Sequence, residues 1–147
     1  MIEGYNINLL IPYLDGEYYG TIFTTLHREI SIRRSTLFTI QALASLQNPT
    51  MFDCQVASDN ADGWLIVTNP QSVLPASPEF LASIEAAGKP VVTIGYRERS
   101  IRCRSVVIDN RQAIKDAMSH LIENHGHRRI AFVGATEHLD LIERFEG

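Results

Sequence analysis

No run of apolar residues in this chain approaches the roughly 20 needed to cross a bilayer as a helix, so no membrane partner is expected. No secretion signal is visible either: Ile7 to Ile11 is apolar but short, Glu3 precedes it, and no basic region leads it. The cytoplasm is therefore the expected compartment. Cysteine is scarce. Cys54 and Cys103 have no metal-ligand spacing with each other or with histidine, and both read as free thiols used for packing. Basic residues do not dominate: 13 Lys and Arg against 17 Asp and Glu leave a net charge of −4 at pH 7, which offers nucleic acid no attractive field. There is no G-x-S-x-G elbow, no G-x-x-x-x-G-K phosphate loop, and no G-x-G-x-x-G after the first strand. A binding protein without enzyme activity, cofactor or metal is the expectation.

What is present is an ordinary core-forming composition, 45% hydrophobic and 20% charged, arranged as short apolar runs alternating with amphipathic stretches. Ile7–Ile11, closed by Pro12, reads as a buried strand. A turn at Leu14–Glu17 leads to a helix carrying Tyr19, Ile22, Phe23, Leu26 and Ile30 at helical spacing. Thr36–Ile40 is a second strand, and 49–58 has too poor a period to assign. Ala61-Asp62-Gly63 turns into a third strand, Trp64–Val67, which stops at Asn69-Pro70. Ser77-Pro78-Glu79 opens a helix that Gly88 ends. Val91–Ile94 is a fourth strand, 96–104 an arginine-rich loop, and Ser105–Ile108 a fifth strand. Asp109-Asn110 can cap a long helix through Ile122 that stops at Gly126; Ile130–Val133 is a sixth strand, and a helix begins near Leu139. This order describes an α/β protein with a doubly wound parallel sheet.

Several of these landmarks, taken together, resemble the LacI family of bacterial transcription regulators: Asp62-Gly63-Trp64-Leu65-Ile66, Asn69-Pro70, Gly88-Lys89-Pro90-Val91-Val92, Val107-Ile108-Asp109-Asn110, Gly126-His127-Arg128-Arg129-Ile130-Ala131-Phe132-Val133-Gly134 and Arg144-Phe145-Glu146-Gly147. Periplasmic sugar-binding proteins share several of them. The resemblance covers nearly the whole chain and implies a periplasmic-binding-protein-like type I fold, with 1–108 as the N-terminal lobe and 109–147 as the crossover helix and start of the second lobe. Only residues 1–6 precede the first strand, where the family's regulators carry a helix-turn-helix, and the second lobe is a third built at residue 147. Truncation is the favoured reading. The implied function is sensing of a small polar ligand, sugar-like or otherwise, between two lobes of a homodimer that reaches DNA only through a domain absent from this chain. The alternatives are a sensor module for a kinase, diguanylate cyclase or AraC-type output, a transport solute-binding protein, and a small doubly wound enzyme.

Ligands of such sheets sit outside the carboxyl ends of the strands. Asp15, Tyr18 and Tyr19 fall there, and sugar-binding relatives place paired aromatics at the tyrosine positions; the plainer explanation of Tyr19 is the first buried residue of its helix. Asn69 resembles a position that hydrogen-bonds ligand hydroxyls, though a turn asparagine before proline is commoner. Asn110 either faces the cleft or caps its helix, or both. Arg144 matches an arginine that grips polar ligands with its planar fork, with Asp140 a weaker companion one turn earlier. The expected first-lobe half is thus Asp15, Tyr18, Tyr19, Asn69 and Asn110, with Arg144 opposite. Gly95 stands where the family commonly has an acidic ligand-binding residue, which argues against a simple sugar. Arg97, Arg99, Arg102 and Arg104 read as a solvated loop more readily than an anion site. His120, His125 and His127 lack a completing cysteine or acid, so no metal is expected there.

Overall fold

The computed structural model describes residues 4–41, 60–68, 78–95, 97, 99, 101–134 and 139–147. The expectations placed on 49–58, Cys54, Asn69, Pro70 and Ser77 lie outside them. The chain falls into two compact units, Met1–Val107 and Ile108–Gly147.

In the first unit β1 (Asn6–Ile11), β2 (Thr36–Gln41), β3 (Gly63–Val67), β4 (Val91–Gly95) and β5 (Arg104–Val107) form one sheet in the order β2-β1-β3-β4-β5. Every pairing is parallel, with Leu9 opposite Thr39 on one side and Leu65 on the other. Between β1 and β2 lies a π turn (Gly16–Gly20) that runs directly into α1 (Thr21–Ile32); α2 (Pro78–Ala86) precedes β4.

The run Leu9-Leu10-Ile11 is apolar throughout because both sheet faces are covered, and successive side chains go to opposite faces. Leu9, Ile11 and Val67 are buried with Ile22, Phe23 and Leu26 of α1. Leu10, Trp64 and Ile66 are buried with Phe80, Leu81 and Ile84 of α2, and Cys103 packs on that side. Trp64 meets Phe80 edge to face at 5.3 Å, a favoured aromatic geometry.

The Asp62-Gly63 pair has a structural explanation. The Asp62 carboxylate accepts from the Asn6 amide at 2.7 Å, and the Asp62 amide donates to the Asn6 carbonyl. A side chain at 63 would press on Pro90, with Cβ 3.3 Å from its ring. This junction sets the register of the two central strands.

The second unit contains α3 (Asn110–Ser119), a second π turn (His120–Asn124) that prolongs it, and α4 (Leu139–Glu146). Asp109 caps α3 by accepting from the Gln112 amide at 3.0 Å, and Gly126, at φ +68°, follows the helix in a conformation that favours glycine. One expectation is corrected here. Ile130–Val133 is not a strand: its residues are exposed, Val133 by 94%, and pair with no ladder. A strand needs a neighbour to satisfy its backbone groups, and the described residues of this unit offer only helices.

Candidate functional site

In a sheet of order 2-1-3-4-5 the chain winds away from β1 in both directions, and the crevice at this switch point lies between the carboxyl ends of β1 and β3. The residues that follow β1 are tyrosine-rich. Tyr13 and Tyr18, half-exposed at 50% and 49%, flank Tyr19, with ring centroids 5.5 Å and 5.0 Å from it. Tyr19 itself packs on the Leu9, Ile11 and Val67 cluster. Tyr19, partly buried in the π turn, thus packs on the core, while Tyr13 and Tyr18 offer ring surface to solvent. Asp15 precedes the π turn at its N-terminus, yet its side chain makes no capping bond. This exposed carboxylate stands beside the same tyrosines in sequence.

The β3 and β4 ends close the other side. Thr68 is buried; its amide donates to the Ile94 carbonyl at 2.8 Å and its hydroxyl approaches the same oxygen at 3.2 Å. Gly95 has φ +105°, and a Cβ there would stand 2.7 Å from the Thr68 carbonyl oxygen and 3.5 Å from the Tyr18 hydroxyl. The place of the family's acidic side chain is therefore bounded by Thr68 and Tyr18. Asn69 lies outside the described residues.

In the second unit Asn110 and Arg144 come together. Asn110 is buried at 4% exposure. Its side-chain oxygen accepts from Arg144 Nε at 2.9 Å, and its amide nitrogen donates to Glu143 at 3.3 Å. Asn110 does not cap α3; Asp109 does that work. It belongs to the Ile108–Gly147 unit. The bond at Nε orients the guanidinium while its two terminal nitrogens keep the planar fork that suits bidentate recognition. Arg111 pairs with Glu146 beside it. Asp140 is half-buried in the first turn of α4. Sequence reasoning passed over Tyr13, Thr68 and Glu143. The first two directly follow or nearly follow strand ends, which is the signal that could have found them.

No family model matches the chain, and no curated protein matches it. Solved structures do. A LacI family regulator from Mycobacterium smegmatis is 26% identical with a TM-score of 0.67, over 95% of this chain and 48% of that one. The regulator CcpA of Lactococcus lactis matches at 18% identity and TM-score 0.70, over 97% and 51%. A LacI family regulator from Lactobacillus casei with bound sucrose matches at 21% and 0.61, over 96% and 50%. The fold is that of the LacI-type regulators. Sugar-transporter subunits and solute-binding proteins share it at similar TM-scores. The chain spans about half the length of the structures it matches.

Proposed function

We propose that this chain is the first lobe, with the start of the second, of a LacI-type regulator's effector-binding domain, and that it senses a small polar ligand. The observation that carries this reading is the tyrosine cluster at the switch point of a sheet whose solved neighbours are mostly LacI-family regulators. Half-exposed tyrosine rings present flat apolar surface with hydroxyls at the rim, a combination that suits sugars and polyols, and they lose little entropy on binding. In the second unit Arg144, oriented by Asn110, offers a fork that suits a hydroxyl pair or an anionic group. The ligand shifts an open–closed equilibrium of a homodimeric cytoplasmic protein, and DNA is contacted by a separate domain. No catalysis is involved.

A transport solute-binding protein is the second reading, favoured by the solute-binding proteins among the structural matches; the first-lobe site would be the same. Sensor modules with other outputs share this fold logic as well. In the natural protein, calorimetry with a panel of monosaccharides, disaccharides and polyols should find a ligand. Tyr18→Ala and Arg144→Ala should each then weaken binding at least about tenfold, near 1.4 kcal/mol. Unchanged affinity in both variants would place the site elsewhere. Ligand-dependent release of a DNA operator by that protein separates the regulator from the transport reading.

A further inference from the structure

The π turn that prolongs α3 does more than end a helix. In an α-helix, residues five apart point about 140° away from each other, at 3.6 residues per turn. The wider π turn at His120–Asn124 brings position 125 back beneath position 120. The two imidazoles meet edge to face with centroids 4.7 Å apart and their Nε2 atoms 3.0 Å apart, both rings exposed. We propose that His120 and His125 form a bidentate site for a divalent first-row transition-metal ion of the imidazole-binding group.

The separation is the argument. Metal–imidazole bonds run about 2.0–2.1 Å, and two of them at a right angle set their nitrogens about 3 Å apart, as in cis positions of square-planar or octahedral ions such as Ni2+. The chain therefore holds two nitrogens at ligating distance before any ion arrives. Asn124 supplies the outer contact: its amide lies 3.0 Å from His120 Nδ1. A metal on Nε2 leaves the imidazole proton on Nδ1, and a half-turn of the Asn124 amide, whose nitrogen faces Nδ1 here, brings its oxygen round to accept that proton and fix the tautomer and the ring. His127 stacks on His125 at 5.9 Å with the rings 17° from parallel, so it buttresses that ring and is not a third ligand. Among the described residues no group of three donors exists, so water fills the remaining positions and the site is open. The sequence expectation of no metal rested on that missing third ligand; a cis-bidentate site does not require one.

The test uses Ni2+, which free thiols do not reduce, on this chain prepared without a polyhistidine tag. Calorimetry should report one ion per chain, and proton NMR should show the His120 and His125 ring signals broadening first. His120→Ala and His125→Ala should each weaken binding at least tenfold, while His27→Ala leaves it unchanged. Both rings are exposed, so unaltered circular dichroism is expected for all three variants. Undiminished Ni2+ affinity in the His120 and His125 variants, or broadening that starts at His27 or His127, would overturn the proposal.

Discussion

Gly95 shows how one residue shapes a site by what it omits. Its φ of +105° and the 2.7 Å from a would-be Cβ to the Thr68 carbonyl oxygen both oppose any side chain. Gly95→Ala should therefore destabilise the first unit by about 1–3 kcal/mol, read as a lowered denaturation midpoint with unchanged slope. An unchanged midpoint would mean that the β3 and β4 ends part easily. The absence of an acid at 95 was legible in the sequence, but its cause was not, because the crowding comes from a strand 27 positions earlier. Tyr18 and Tyr19 were likewise legible as a pair. Their division of labour, one packed in the core and one half-exposed, depends on where the π turn aims each ring.

At the scale of elements, the strands were readable because each is a short apolar run bounded by turn residues. β3 and β4 are observed at Gly63–Val67 and Val91–Gly95, one residue longer than their apolar runs. The two π turns were not readable, since nothing in spacing alone separates them from the α-helices they continue. Ile130–Val133 carried a strand's composition and formed none, because composition supplies side chains and not a neighbouring ladder. α1 ends with an exposed Glu29–Arg33 ion pair at 2.8 Å, whose guanidinium hydrogen bond holds the Glu29 carboxyl below its ordinary range. α3 depends more on its start. Asp109→Ala removes the side-chain acceptor for the Gln112 amide and should cost about 1 kcal/mol, seen as faster amide exchange across the first turn of α3. Exchange unaltered there would show that the cap is dispensable.

For the whole molecule, a net charge of −4 predicts that this chain by itself shows no salt-dependent affinity for duplex DNA. A gel shift that weakens with rising ionic strength would contradict that.

The interior position of β1 has a consequence for synthesis. Of the five strands β1 leaves the ribosome before the others, yet its partners are Thr36–Gln41 on one side and Gly63–Val67 on the other. The side chains that bury Leu10 on one face, Phe80, Leu81 and Ile84, are translated later still. The fully buried Leu9–Ile11 run is thus made before the rest of the sheet and left exposed the longest. Such a nascent chain depends on collapse or on a chaperone until residue 84 has emerged. Ribosome-arrested chains displaying residues 1–60 should be cleaved readily by protease, and those displaying 1–107 should resist. Equal resistance of the two lengths would mean that β1, β2 and α1 already fold together without β3.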